Sequence, residues 1–415
     1  MKIKDIGHVV TGKTPSTEID EYYGGNIMFI SPSDLHGDYL IEESEKTITE
    51  EGLNSIETNS IGGLSVLTGC IGWDMGNIAM CNSRCATNQQ INTITRFNES
   101  IADPRYVYYW LKGKKDYLFS IASVTRTPIL SKSVFEDIDI PIPCLGLQKK
   151  VANLLSSIDE KIRINNKIND YLEEMAKTIY DYWFVQFDFP NENGKPYKSS
   201  GGKMVNSNGH IIPEGWTFCK VQDIISNICT GLNPRDNFKL GTGDIKYITV
   251  KNLTPNGTLD FTGCDTIDES ARTIVHNRSD IQIGDILFAS IAPLGRCYLI
   301  QSEPTDWDIN ESVFSIRANT DIITPAFLYL YFMSDAFIKH ATSSSTGSIF
   351  KGIRINTLLE TELCVPPLSV ILKFKERLAS IFPLKSKNYE EIQRLSNLRD
   401  WLLPMLMNGQ ATIED

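Results

Sequence analysis

Apolar positions along this chain follow two rhythms. Over most of its length they come in short runs between turn signals: NIMFIS, LSVLTGCIGW and INTITRF early on, then IKYITV, DILFASI and CYLI. Such runs predict strands. From Leu147 to Val185, and again from Leu368 to Met407, the rhythm changes to alternating steps of four and three. The first series is Val151, Leu155, Ile158, Ile162, Leu172, Ile179 and Trp183; the second is Phe374, Leu378, Ile381, Ile392, Leu395 and Leu402. That spacing places the side chains on one stripe of a long helix, the seam of a coiled coil. Both seams turn polar at the same place, at Asn165 and Asn169 in the first and at Lys385 and Asn388 in the second. Antiparallel pairing would bring these polar middles together and fix the register. Pro383 interrupts the second helix and is expected to kink it or split off its first two turns.

The rest of the chain is duplicated. Lys4-Asp5-Ile6 is answered by Gln222-Asp223-Ile224, Thr11-Gly12 by Thr230-Gly231, and Asp34-Leu35 by Asn252-Leu253. Asn88-Gln89-Gln90 lies opposite Asn310-Glu311-Ser312. Asp103-Pro104 opens an aromatic run, YVYYWL, as Thr324-Pro325 opens FLYLYF; Pro suits a first helical turn. IPIP at 140–143 and LCVP at 363–366 each lead into a long helix. Two copies imply a duplicated module rather than a solenoid. The predicted fold class is α+β, with two globular modules separated by two long helices that form an antiparallel coiled coil. The expected divisions are 1–144, helix 145–187, a Gly/Ser/Asn/Pro-rich linker or surface loop at 188–216, a second module at 217–366, and helix 367–410.

Composition narrows the class. The 415 residues are 41% hydrophobic and 22% charged, which is a globular balance in a chain long enough for two or three domains. The start MKIKDIGHVV does not read as a signal peptide, and no apolar run is long enough to span a membrane. Nine cysteines without framework spacing read as reduced thiols, so a cytoplasmic protein is expected. Cys81 and Cys85 lack the second pair that a zinc site needs. The net charge of −11 argues against a general nucleic-acid coat, yet the charge is uneven. From Arg105 to Phe135 six basic residues (including Lys112, Lys114, Lys115, Arg126 and Lys132) face one acid, and Lys339, Lys351 and Arg354 lie in a stretch with none. Each module thus carries a basic patch able to meet phosphate just before its long helix.

Catalytic signatures are weak. GHVVTGKT at 7–14 fits the P-loop formula, but Pro15 biases Thr14 away from helix and the second copy lacks the Lys-Thr. No N/D-P-P-aromatic tetrad of an amino-methyltransferase occurs, and Asp159-Glu160-Lys161 falls on the long helix rather than across a nuclease hairpin. His8, His36, His210, His276 and His340 are too scattered to suggest a triad or metal cluster. The chain reads as non-catalytic and without a metal site of its own. A nucleotide-using enzyme built on Gly7–Thr14 and a scaffold binding only proteins stay open as alternatives.

TGKTPS after the first strand, NQQI at 88–91, IPIPCLGLQKKVANLLSSIDEKI, IPEGW at 212–216 and LRDWLLPMLMNGQ at 398–410 occur in an order that resembles the specificity subunits of Type I restriction–modification systems. The resemblance covers nearly the whole chain. It departs at Leu147-Gln148, where the family often has Glu-Gln, and at Pro383. It implies that the modules are target-recognition domains, each reading half of a bipartite, asymmetric double-stranded DNA site. It also implies that the helices space them about one DNA turn apart, a helix of about 39 residues being roughly 58 Å long. The basic patches would hold phosphates, and loop side chains would read bases: Lys13, Ser33, Asp34 and Arg126 in the first module, and Asn233, Arg235, Lys251 and Asn252 in the second. Two methyltransferase subunits and motor–nuclease subunits would be partners, with S-adenosylmethionine, ATP and Mg belonging to those partners.

Overall fold

The computed structural model describes residues 1–37, 39–72, 75–123, 126–207, 209–343, 352–411 and 413. Lys351, a candidate for phosphate binding, lies outside them. The chain forms two compact units, residues 1–166 with 390–415, and residues 167–389. Each unit therefore joins one module to half of each long helix. Among the described residues no helix is long and apolar enough to cross a membrane.

The modules share one topology. In the first, a five-stranded sheet runs in the order His8–Thr11, Ile91–Thr95, Ser65–Gly69, Ile78–Cys81, Leu40–Ile41, and a three-stranded sheet in the order Lys46–Ile48, Tyr23–Ile30, Cys85–Thr87. The second has a four-stranded sheet, Ile225–Thr230, Val313–Ala318, Ile286–Ala289, Cys297–Leu299, and a three-stranded one, Asp265–Ile267, Ile245–Ile248, Trp307–Ile309. In both three-stranded sheets the middle strand pairs antiparallel with one neighbour and parallel with the other. The aromatic runs become helices Pro104–Lys112 and Pro325–Phe332, capped by Asp103 and Thr324. Their rings are mostly core: Tyr106, Tyr108, Tyr109, Trp110, Phe327, Tyr329 and Phe332 are buried.

The first long helix is continuous over Leu145–Tyr180 and ends in a π-helical turn, Asp181–Val185. Gln148, at zero exposure, anchors its start by accepting from the Asp103 N–H (2.9 Å) and donating to the Ile101 and Pro143 carbonyls (2.9 Å each). This glutamine thus ties module to helix. The second long segment is not one helix: Leu368–Arg377 and Ile381–Met407 are separated by Leu378–Ser380. Pro383 sits in the first turn of the second piece, where its missing N–H forfeits no helical bond. The break therefore falls just before the proline and splits off ten helical residues rather than two turns.

Both units pair the helices as the seams predict. In the first, Ile158 and Ile162 pack with Ile392, Leu395 and Leu402, while Val151 and Leu155 share a core with Leu403 and Leu406, which the 4/3 count passed over. Asn165 donates to Glu391 (3.4 Å). In the second unit Asn388 donates to Asn169 (3.1 Å), and Leu172 and Ile179 pack against a core containing Phe374, Leu378 and Ile381. The Phe374 ring meets Tyr180, Trp183 and Phe184 at 6.3, 5.5 and 4.7 Å. The early half of one helix meets the late half of the other in each unit, so the pairing is antiparallel.

A buried charge crosses the seam in each unit. Asp159 accepts from the Tyr109 hydroxyl (2.6 Å) and from Arg399 (2.7 Å). Glu173 accepts from the Tyr329 hydroxyl (2.9 Å) and from Lys385 (2.6 Å), whose ammonium also donates to the Asn256 carbonyl (2.8 Å). Burial, then the adjacent carboxylate charge, pushes both phenols far above their usual pKa, so they remain donors. Each aromatic helix is thereby fastened to both long helices.

The segment 188–216 is better ordered than its composition suggests. Met204–Ser207 pairs with His210–Pro213 as a hairpin, Phe189 stacks on Tyr197 (4.6 Å), and Phe189, Ile212 and Trp216 enter the core of the second unit. Three apolar anchors outweigh the loop-forming residues between them.

Candidate nucleic-acid interface

Four loops meet at one end of the central sheet in the first module. The Gly12 N–H donates to the Ile91 carbonyl (3.0 Å), and Thr14 Oγ1 donates to Gln89 (2.8 Å), which ties loop 12–16 to turn 88–90. The Cys70 N–H donates to the Gln90 carbonyl (2.8 Å), the Leu130 N–H to the Cys70 carbonyl (2.9 Å) and the Gly72 N–H to the Pro128 carbonyl (3.0 Å). These bonds join the hairpin after Gly69 and the loop before Leu130 to the same edge. The Asn88 N–H donates to the Ile30 carbonyl (3.0 Å), drawing in the turn that carries Ser33.

The second module repeats three of these bonds at matched positions, and its glycine bonds to the turn residue Asn310 where Gly12 bonds to Ile91. The Gly231 N–H donates to the Asn310 carbonyl (3.2 Å), the Asn310 N–H to the Ile248 carbonyl (2.8 Å), the Ser290 N–H to the Ser312 carbonyl (3.0 Å), and the Ile353 N–H to the Ser290 carbonyl (2.8 Å). The glycines are required by close approach. A Cβ on Gly12 would overlap the Thr87 and Asn88 carbonyl oxygens, and one on Gly231 the Ile309 carbonyl oxygen. This explains the repeated Thr-Gly and removes the P-loop alternative. Residues 12–16 have no regular structure, and the next element is a 3-10 turn, Asp20–Tyr22, so no helix N-terminus is there to hold phosphate.

Several candidates project from this end. Lys13 and Arg126 are exposed on its loops, and exposed Lys115 donates to Asn77 (3.0 Å) at the base of the hairpin. Lys132 opens the helix that follows the last loop and lies 3.6 Å from Glu136. Lys114 rests over the Trp110 ring (5.7 Å). Ser33 is exposed, its hydroxyl 2.8 Å from that of Ser31. In the second module Arg235, Lys251, Lys339 and Arg354 are exposed, and Asn233 is half-buried. Lys339 follows Ile338, which packs under Gly295 in the second hairpin, as Lys115 packs under Gly76 in the first.

Three candidates are committed elsewhere. Asp34 accepts from the Ser31 N–H (2.7 Å) and the Glu45 N–H (2.9 Å), capping its own turn. Asn252, 2% exposed, caps the equivalent turn through the Thr249 N–H (2.9 Å) and donates to the Asp260 carbonyl (2.9 Å). Lys112 folds back onto the Tyr108 hydroxyl (2.9 Å), and burial holds its ammonium below the usual lysine pKa. In their place the structure offers Gln89 and Glu311, exposed at the tips of the matched turns. The duplication aligned those positions, but a turn tip has no sequence signal of its own.

The exposed side chains on these loops are cations and hydrogen-bonding amides, carboxylates and hydroxyls, groups able to meet phosphates and base edges. Among the described residues no group of three or more His, Cys, Asp or Glu could hold a metal ion. All nine cysteines are free thiols, with Cys81 and Cys85 buried 3.7 Å apart.

The family model for the Type I restriction modification DNA specificity domain matches this chain twice, over residues 1–174 and 213–394. The Type I restriction enzyme MjaIX specificity subunit of Methanocaldococcus jannaschii is 26% identical over 424 residues, covering 100% of this chain and 93% of that protein. The HindI specificity subunit of Haemophilus influenzae is 22% identical over 366 residues, covering 75% and 78%. A crystal structure of the S subunit of a Type I restriction–modification system from M. genitalium shares the fold, with a TM-score of 0.55 at 14% identity, covering 98% of this chain and 95% of that one. With the family model matched to both modules, the chain belongs to the Type I restriction–modification DNA specificity family.

Proposed function

We propose that this chain is the non-catalytic specificity subunit of a Type I restriction–modification complex, and that each four-loop end reads one half of a split, asymmetric DNA site. The observation that carries this reading is the repetition of one loop scaffold with different exposed side chains. Lys13, Gln89 and Arg126 stand in the first module, and Arg235, Glu311 and Arg354 in the second. A constant frame with variable polar tips suits base-edge recognition, while the flanking lysines and arginines suit phosphate.

The first long helix also supports partner binding. Ile168, Tyr171, Met175 and Tyr182 are 38%, 66%, 51% and 39% exposed and recur at helical spacing, away from the seam residues Asn169, Leu172 and Glu173. A second apolar stripe of this kind suits a helical partner. The partners proposed are two methyltransferase subunits and, for cleavage, motor–nuclease subunits. These would contribute S-adenosylmethionine, ATP and Mg.

The test is DNA binding by the purified complex with its methyltransferase at several salt concentrations. Joint replacement of Lys13, Lys115 and Arg126 by Ala should weaken binding and flatten the log–log salt slope by about 0.9 for each phosphate no longer neutralised. An unchanged affinity and slope would remove the first module's loop end from the DNA interface.

A further inference from the structure

The buried charges on the seam are segregated by helix. The first long helix supplies both carboxylates, Asp159 and Glu173, at 3% exposure each. The second supplies both cations, Arg399 at 2.7 Å from Asp159 and Lys385 at 2.6 Å from Glu173. Lys161 with Glu391 runs the other way, but that lysine side chain is 54% exposed and screened by water. We propose that these buried pairs decide which helix pairs with which. Each long helix accepts the complementary helix, from the same chain or a second copy, and rejects another copy of itself.

The seams alone do not make that choice, because both carry the same apolar rhythm and polar middles. With the module-to-helix junctions superimposed and the register of the two buried pairs kept, two second helices would set Arg399 against Phe382 and Lys385 against Ser396. Neither cation would meet an acid. Two first helices would set Asp159 against Ala176 and Glu173 against Ile162, so neither carboxylate would face a cation. An uncompensated buried charge is costly, whereas the same charge with its partner and a tyrosine hydroxyl is accommodated. This is the device by which interfaces select partners through penalties on the wrong ones. Like-with-like pairing would bring two identical modules together, so the charges also keep one module of each kind in an assembly.

The inference rests on helix pairing within each unit and not on DNA reading, so its test needs no DNA. A protease site is inserted at the exposed Asn193-Gly194 turn of the full chain. The cut protein is unfolded in denaturant and refolded, and its species are identified by native mass spectrometry. The expected product is the one-to-one complex of the two fragments, without dimers of either. Lys385→Glu with Arg399→Asp should lower recovery of that complex by on the order of a hundredfold. Adding Asp159→Arg with Glu173→Lys should restore it. Dimers of one fragment from the unsubstituted protein would overturn the proposal, as would full recovery with the acidic second helix. Failure of the four-fold exchange to restore pairing would also overturn it, by making the charges necessary to each helix rather than to their match.

Discussion

Lys385→Met isolates the charge on which the second unit's helix pairing turns. The side chains of this lysine and of its partner Glu173 are 5% and 4% exposed. In the variant Glu173 keeps the Tyr329 hydroxyl, but the Asn256 and Gly257 carbonyls lose their ammonium donor. Removing one member of a buried pair costs about 3–5 kcal/mol. A central value of about 4 kcal/mol is roughly a thousandfold in the opening equilibrium. Hydrogen–deuterium exchange reads that quantity by unit. Amides of Ile286–Ala289 and Val313–Ala318 should lose protection on that scale, while Ser65–Gly69 in the first unit should not change. Glu173→Met with Lys385→Met should cost less than the single variant, because no uncompensated charge remains and only neutral groups, the Tyr329 hydroxyl and the Asn256 and Gly257 carbonyls, lose a partner. Unchanged protection in the single variant, or a double variant worse than the single, would refute the reasoning.

Other substitutions test other parts of the structure. Lys112→Met should leave DNA affinity intact and hold or raise stability at neutral pH, as measured by thermal unfolding. The folded state holds this ammonium below its ordinary pKa, so the native lysine costs stability at neutral pH and that cost fades as pH rises toward 10.5. Gly12→Ala should destabilise the first unit by about 1–3 kcal/mol through overlap with the Thr87 and Asn88 carbonyls, seen as faster exchange in Ile91–Thr95. Asp188 is held below the usual carboxylate pKa by the Ser199 hydroxyl and N–H, so its contribution is complete above pH 3.8 and falls away as pH drops through the lowered value. Asp188→Asn should therefore lower the melting temperature at pH 7 and lose that effect in strong acid.

The features legible in the sequence were periodic or repeated. The 4/3 spacing located both long helices and their polar middles, and paired motifs such as Thr11-Gly12 with Thr230-Gly231 exposed the duplication. Pairings between distant positions were not legible. Asp159 and Arg399 are 240 residues apart, and nothing local marks either as a partner. Composition misled at 188–216, where Phe189, Ile212 and Trp216 anchor an otherwise polar segment. Residue type misled at Asn252 and Asp34: a short polar side chain in a turn serves equally as a cap or as a base reader, and only the neighbouring N–H groups decide. Lys112 belonged to a basic run, yet its place one turn after Tyr108 let it fold inward.

On the proposed function, the two loop ends read two different halves of one DNA site. The most direct test of this reading is the methylation pattern left by this chain and its methyltransferase partner in a host free of other modification, mapped by sequencing that detects modified adenine. The expected result is one split motif with unlike halves, absent without this chain, in which Arg235→Ala with Arg354→Ala relaxes one half and leaves the other intact. Unmodified DNA from an assembled complex, or a motif whose halves both change together, would contradict it.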